Sequence, residues 1–262
     1  MTAAHSSALV RLAEHVSAAA SMAANARPQL IEEKGLHDYV TDMDRRLEEH
    51  LRTVLEPMFG VPVLGEETIA EDEILPDRAV VVDPLDGTSN WVAGLPFAAV
   101  SVAYVEHGQS IMAVVVSIAD GTIYSAEAGK GAWRAGEKLA LAGTRPQSLM
   151  ALSTGLLDVL DGSAGFSQLR RFGKLRNFGS EALQLCAVAQ GALAFNASIE
   201  ARLWDDAAGR LIATEAGATY KAMLAAADVT RPAARQRCFC AHPEIAEEVE
   251  ALLIPFLHSD RS

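Results

Sequence analysis

Cysteine is scarce: the 262 residues include only Cys186, Cys238 and Cys240. These three form neither a disulfide framework nor a zinc-binding spacing, so a reduced compartment is the default expectation. Basic residues are also in deficit, with 22 Lys and Arg against 34 Asp and Glu and a formal net charge of −12. No basic stripe is available to release phosphate counterions, which argues against a nucleic-acid surface. No apolar run approaches the ~20 residues of a membrane helix. The longest, at 95–105 and 111–119, are broken by Pro, Ser or Tyr and read as buried strands. The seven histidines are scattered, with no His-x-x-x-His pair, and read as surface or core residues rather than ligands. The N-terminus has no basic region followed by an apolar one, so no signal peptide is expected. P-loop, Ser-His-Asp set, internal repeat and low-complexity segment are all absent. The balance points to a soluble, cytoplasmic protein with neither a membrane nor a nucleic-acid partner.

Half of the residues are hydrophobic and 21% are charged, enough for one large domain or two modest sub-domains sharing a core. The most informative stretch is Val80-Val81-Val82-Asp83-Pro84-Leu85-Asp86-Gly87-Thr88-Ser89-Asn90-Trp91. An apolar strand delivers Asp83 to its carboxyl end, and Pro84 fixes φ so that the chain bends at once. Asp86 then returns a second carboxylate to the same place. Two close carboxylates repel unless a hard cation neutralises them, and Mg²⁺ is the usual one. The amides of Gly87, Thr88 and Ser89 follow directly, suited to a nest for phosphate oxygens. The plainer reading is that Asp-Pro and Asp-Gly are ordinary turn dipeptides after a strand.

Elsewhere, Leu9, Leu12, Val16, Ala20 and Ala23 mark an amphipathic first helix. A second begins at Thr41, where Thr41 and Asp44 have the spacing of a capping box. Whether that helix start also points into a site is left open by spacing. A strand at 61–64 closes with Gly65-Glu66-Glu67, either a solvated turn or a ligand-bearing one. Closely spaced strands between 97 and 137 predict an antiparallel sheet, with the helices of this half on one face. The second half alternates: strands at 149–153 and 174–178 separated by a variable stretch at 158–166, then a helix with Ser180 as N-cap. A strand at 193–197 leads to Trp204-Asp205-Asp206-Ala207-Ala208-Gly209 opening another helix, and a strand at 237–241 precedes a final helix over 244–257. This rhythm predicts a mixed second sheet.

Three acidic clusters, Gly65-Glu66-Glu67, Asp83/Asp86 and Trp204-Asp205, thus stand at strand ends or helix starts. In this order and at these separations they closely resemble the inositol monophosphatase family of Mg²⁺-dependent, lithium-sensitive phosphatases. Weaker matches are Lys34, Asp38-Tyr39-Val40-Thr41 with Asp44, and Gly129-Lys130-Gly131-Ala132. The resemblance implies a layered α/β/α/β/α sandwich in two interlocked sub-domains. An N-terminal α+β sub-domain, 1–145, would carry most metal ligands, and a C-terminal α/β one, 146–262, would carry Asp205 and the substrate pocket. It further implies a homodimer and a phosphomonoesterase acting on inositol monophosphate or a related small phosphorylated metabolite by in-line attack of a metal-activated water. Glu66, Asp83 and the carbonyl of Leu85 would hold one Mg²⁺. Asp83, Asp86 and Asp205 would hold a second, with a weaker third ion near Glu66. Thr88 and Asp44 would orient and deprotonate the water, Glu67 would act from behind, and Gly87, Thr88 and Ser89 would bind phosphate.

The leaving-group pocket departs from the family pattern. Animal members carry a glutamate seven residues before the C-terminal metal aspartate, where this chain has Ser198, with Glu200 two positions nearer. Gly179-Ser180-Glu181 replaces the small residues that usually follow the glycine. Glu181 either substitutes for the missing carboxylate or excludes anionic groups from a pocket that also includes Asp205. Ser89-Asn90 leans away from the nucleotide-phosphatase branch. Phosphatases of fructose 1,6-bisphosphate, nucleotide 3′-phosphates, NADP and histidinol phosphate remain the alternatives, as does a partner-binding role. Trp204 reads as packing, Asp205 as a helix N-cap compatible with metal, and Asp206 as solvated or capping. Lys34 reads as a balancing charge or a surface lysine, and Arg176 as partner to a nearby acid or to another subunit.

Overall fold

The computed structural model describes residues 6–28, 30–35, 38–144, 146–223 and 230–257. Leu9, Leu12, Val16, Ala20 and Ala23 form the buried stripe of helix α1 (Ser7–Ala24), which Ser6 caps by accepting from the Leu9 amide. A hairpin of β1 (Ile31–Gly35) and β2 (Asp38–Thr41) follows, which the sequence analysis did not foresee. Lys34 lies on β1, and its side chain falls outside the described residues. Helix α2 (Asp42–Phe59) starts with the expected capping box of Thr41 and Asp44.

A seven-stranded sheet is built from β3 (Val63–Gly65), β4 (Arg78–Asp86), β5 (Ala99–Glu106), β6 (Gln109–Ser117), β7 (Ile123–Glu127), β8 (Gly131–Arg134) and β9 (Glu137–Leu139), in that spatial order. Only β3–β4 pair in parallel; the other neighbours are antiparallel, as short turns require. Between β4 and β5 lies the short helix α3 (Thr88–Ala93). Helices α1 and α2 bury their stripes on one sheet face, against Val80, Val82, Val100, Val102 and Val114.

The second sheet runs through β10 (Leu149–Leu152), β11 (Lys174–Arg176), β12 (Phe195–Ala201), β13 (Thr219–Met223) and β14 (Gln236–Ala241), in spatial order β11-β10-β12-β14-β13. Its β10 pairs in parallel with β11 and β12, and β14 runs antiparallel to β12 and β13, the mixed sheet expected. The variable stretch at 158–166 is mostly helical: α4 (Thr154–Leu160) and α5 (Ala164–Leu169) are capped by Ser153 and Ser163. Strand β13 was also not foreseen, because Thr219–Met223 is polar and half exposed. Helices α6 (Glu181–Ala189) and α7 (Leu203–Glu215) share a core with Val81, Ala103, Val105 and Val115 of the first sheet and Ala151 and Cys240 of the second. Helix α8 (Ala246–Leu257) joins α4 and α5 beyond the second sheet. The order of layers is therefore α/β/α/β/α. Cys186, Cys238 and Cys240 are free and buried, and no helix among the described residues is long and apolar enough to cross a membrane.

One close approach ties α2 to β3. A Cβ on Gly65 would lie 2.1 Å from the carboxyl carbon of Glu48, a side chain only 1% exposed and unable to move aside. Gly65→Ala is expected to lower stability by about 1–3 kcal/mol through overpacking, read as a reduced urea midpoint. Gly60→Ala, where nothing lies within 4 Å, tests only the cost of its φ of +65°. A Gly65→Ala midpoint equal to wild type would remove this constraint.

Candidate active site

Strand β4 does not stop at Asp83. It continues to Asp86, but its register with β5 shifts: Asp83 faces Ser101 and Asp86 faces Ala99, so three steps on one strand oppose two on the other. In a regular strand, residues three apart point to opposite faces. The bulge at Pro84-Leu85 cancels that alternation and brings both carboxylates to one side. The Leu85 amide then donates to Asp83 Oδ1 at 3.0 Å, which fixes the first carboxylate.

Two further carboxylates arrive from other elements. Glu66 follows β3 and donates its amide to the Val82 carbonyl at 3.2 Å, which sets it beside Asp83. Asp205 is the third residue of α7 rather than its N-cap. Its Oδ2 accepts from the Arg202 amide at 2.6 Å, and buried Trp204 packs behind it under the Arg202 guanidinium. Glu66, Asp83 and Asp205 each place a carboxylate oxygen within 4.8 Å of the others. Burial, then the charges of Glu66, Asp86 and Asp205, push Asp83 far above the usual carboxylate range; burial, then Glu66 and Asp86, do the same to Asp205. A set of hard oxygen donors that repel one another fits a hard divalent cation.

Asp86 lines the same cavity of about 190 Å³ but stands outside that trio. Its carboxylate accepts from Ser180 Oγ at 2.5 Å, the Ala182 amide at 2.8 Å and the Glu181 amide at 3.2 Å. It therefore holds the start of α6, and burial still raises its pKa to about 6. The rim is the start of α3, where the first amides have no intrahelical acceptor. Gly87 is required there: φ is +87°, and a Cβ would lie 2.5 Å from the Phe97 carbonyl. Thr88 and Ser89 line the cavity beside it, with Leu85 and Gly179. Asn90 bonds the Phe97 and Phe178 carbonyls at 2.8 and 2.6 Å, holding α3 against the segment that leads to α6.

Asp44 divides its two oxygens between the helix cap and Thr88. Oδ2 accepts from the amide and hydroxyl of Thr41, at 2.8 and 2.5 Å, as the capping box requires. Oδ1 accepts from Thr88 Oγ1 at 2.9 Å, and the same hydroxyl lies 2.9 Å from the Leu85 carbonyl. Burial raises Asp44 above the usual range.

Glu67 does not line this cavity; it lines a neighbouring one with Glu66. The residues that hold the Glu66-Glu67 turn escaped sequence reading. Glu48 Oε2 accepts from the Glu67 amide at 2.8 Å, and Glu48 is bridged by Arg52, which also reaches the Val63 carbonyl at 2.6 Å. The available signal was an acid and a base four apart on α2, a pattern common on solvated helices.

The candidate leaving-group residues do meet. Gly179, Ser180, Glu181, Ser198 and Asp205 line one polar cavity of about 240 Å³ with Glu200, and it shares Asp86 with the carboxylate pocket. Glu181 accepts from Asn196 at 2.5 Å and from Gln184 at 3.1 Å; burial, then Asp86 and Asp206, raise it to about 8. Ser198 Oγ accepts from the amides of Glu200 and Ala201, both at 3.2 Å, and Glu200 accepts from the Gly155 amide at 3.0 Å. Asp206 is neither solvated nor a cap: it is fully buried, bonded by Tyr220 and Gln236, and burial raises it to about 6. Arg176 is exposed and donates to the neighbouring Leu175 carbonyl at 2.8 Å.

Comparison with known proteins supplies the family and the fold. The profile of the Inositol monophosphatase family matches residues 2–255. A fructose-1,6-bisphosphatase/inositol-1-monophosphatase of Thermotoga maritima is 33% identical over 184 residues, covering 70% of this chain and 71% of its own. Inositol monophosphatase 1 of Bos taurus is 32% identical over 193 residues, 69% of each chain. The solved structure of a Thermotoga maritima IMPase superposes with a TM-score of 0.79 at 25% identity, over 94% of this chain and 96% of that one. With its layers, its carboxylate trio and a profile match from end to end, the chain belongs to the inositol monophosphatase family and is a phosphoric monoester hydrolase.

Proposed function

We propose that the chain hydrolyses inositol monophosphate or a related small polyol or sugar phosphate with the help of two to three Mg²⁺ ions. The observation that carries this is the meeting of Glu66, Asp83 and Asp205 within 4.8 Å. These three carboxylates would hold the ions, with Asp86 and the Leu85 carbonyl beside them. Mg²⁺ bound there supplies Lewis acidity towards water and charge neutralisation at the leaving oxygen. The remaining work falls to side chains and amides of the chain itself.

Thr88 and Asp44 form the proton path. While Thr88 Oγ1 donates to Asp44 Oδ1, its lone pairs stay open to a water in the cavity. When that water attacks phosphorus, the ester P–O bond breaks, the water's proton passes to Thr88 Oγ1 and the threonine proton moves to Asp44 Oδ1, while the departing alkoxide takes a proton from solvent water. The raised pKa of Asp44 makes it a better acceptor than an exposed aspartate. The amides of Gly87, Thr88 and Ser89 receive the phosphate oxygens at the start of α3. Glu67 supports this from behind through the turn that Glu48 holds. Gly179, Ser180, Glu181, Ser198 and Asp205 face the alcohol being released. A cytoplasmic homodimer sensitive to lithium completes the reading.

Thr88→Ala and Asp44→Asn are each expected to lower kcat by about 10²- to 10⁴-fold with little change in KM, as for loss of a proton acceptor. Phosphate release from inositol 1-phosphate in a Mg²⁺ titration measures this, and Thr88→Ser should recover much of the rate. No Mg²⁺-dependent release by wild type from inositol 1-phosphate, fructose 1,6-bisphosphate, adenosine 3′,5′-bisphosphate, NADP or histidinol phosphate would refute the substrate class.

Stability should carry the same signature. Asp86 and Asp206 are raised from 3.8 to about 6, and Glu181 from 4.5 to about 8. Each folded group keeps a proton that the unfolded chain releases, so protonation favours folding. Without metal, stability therefore falls as pH rises from about 4 through 8. With chelator present, Tm is expected to be higher at pH 5.5 than at pH 8. Mg²⁺ at 100 times its Kd adds about 2.7 kcal/mol at the higher pH, and less at the lower, where protons compete. A Tm insensitive to Mg²⁺ at pH 8 would contradict the assignment of the carboxylates.

A further inference from the structure

Asp83 is the most enclosed carboxylate of the trio, 1% exposed, yet its only hydrogen-bond donor among the described residues is the Leu85 amide on Oδ1. Asp86 and Asp44, by contrast, each accept from three donors. An ionised carboxylate offers about four acceptor sites, so Asp83 keeps a capacity that its own loop does not use.

Across the ladder stands a group in the complementary state. Ser101 of β5 is the register partner of Asp83. It is 1% exposed, and its Oγ has no hydrogen-bond partner among the described residues. Directly opposed residues of an antiparallel pair point to the same face with Cβ atoms about 5 Å apart. Side-chain rotation alone can therefore bring this hydroxyl to that carboxylate. On its other side Ser101 faces Val115 of β6, and Ala99 and Ala103 flank it along β5, all three in the apolar core shared with α6 and α7. Ser110 shows the ordinary arrangement for a buried serine of this sheet, its hydroxyl donating to the Ala207 carbonyl at 2.8 Å. A buried hydroxyl without a partner costs stability, and alanine would fill the same place without that cost. Such a group calls for an explanation, and a state in which the hydroxyl is used supplies one.

We infer that Ser101 is a positioning residue of the metal site, whose hydroxyl donates to Asp83 when that carboxylate holds the cation. Carboxylates that ligate metals are themselves held by outer hydrogen bonds, and the Leu85 amide supplies only one. Ser101 does not line the carboxylate cavity, so it acts through Asp83 and touches neither cation nor phosphate. The inference rests on the assignment of the carboxylates to Mg²⁺ made above and on no choice of substrate.

Two measurements on the full-length chain at pH 8 test it: Tm with chelator present, and calorimetric titration with Mg²⁺ in the absence of substrate. Without metal, Ser101→Ala is expected to melt at or above the wild-type Tm, because an unpaired hydroxyl is gone. The same variant should bind Mg²⁺ about 10- to 100-fold more weakly. A residue retained only for its small size would not lose metal affinity while keeping metal-free stability. Ser101→Cys fills similar space with only a weak donor, and its affinity should stay well below that of wild type. Wild-type Mg²⁺ affinity in Ser101→Ala overturns the inference. So does wild-type affinity in Ser101→Cys, which assigns the effect to packing. A metal-free Tm lowered by Ser101→Ala shows that the hydroxyl already has its partner without the cation, and overturns it too. Weakened Mg²⁺ binding in Ser101→Ala, with wild type turning over no phosphate ester, upholds the inference and sinks the phosphatase reading alone. Wild type that binds no Mg²⁺ overturns both.

Discussion

Repulsion among the carboxylates at the end of β4 and the start of α7 is the constraint around which the remaining structure is arranged. Glu66, Asp83 and Asp205 converge at 4.8 Å or less, and Asp86 lines the same cavity. Ionised together without a counter-charge, they would oppose the folding that gathers them. The surrounding fold supplies the opposing rigidity. The bulge at Pro84-Leu85 is held against β5, just past the end of the β3 pairing, and α7 is clamped between the two sheets by its buried face. A divalent cation held by these carboxylates would relieve that repulsion.

A recurring device aims these groups. Asp44, Asp83 and Asp205 each give an oxygen to a nearby backbone amide, those of Thr41, Leu85 and Arg202 respectively. That bond selects the rotamer and leaves the second oxygen to point elsewhere. In Asp44 the second oxygen meets Thr88, whose hydroxyl lies 44 residues away in sequence. Asp86 instead gives both oxygens to one place, Oδ1 to the Glu181 amide and Oδ2 to the Ala182 amide, and so fixes the start of α6. Local capping chemistry and active-site geometry are thus one set of bonds, and a capping signal in the sequence was not evidence against a catalytic role.

What could be read in advance follows from the range of the interactions. The antiparallel first sheet and the mixed second sheet follow from apolar periodicity and turn residues, whereas the five layers were implied by the family resemblance alone. The helix starts at Thr41 and Ser180 were legible because an N-cap acts within three residues. The interactions that escaped are long-range. Asp206 looked solvated beside Asp205, yet its partners, Tyr220 and Gln236, lie on β13 and β14. Glu48 looked like one acid on a charged helix, while its role is to hold an amide 19 residues ahead. Polar strands such as β13, and helices as short as α4 and α5, carry too little periodicity to announce themselves.

The pocket lined by Ser180, Glu181 and Ser198 shows how motif matching leaves selectivity open. Ser198 stands where animal relatives carry a glutamate, but its hydroxyl accepts from the amides of Glu200 and Ala201 and so supports the register shift of β12 against β14. It does not replace a carboxylate. Glu181 is the acid nearest that function, yet its pKa of about 8 keeps it protonated at neutral pH in the metal-free chain, with Asn196 and Gln184 on its oxygens. A neutral carboxyl does not repel an anion. A cation bound beside Asp86 would weaken one of the charges that raise Glu181, so both alternatives for Glu181, carboxylate substitute and excluder of anions, stand.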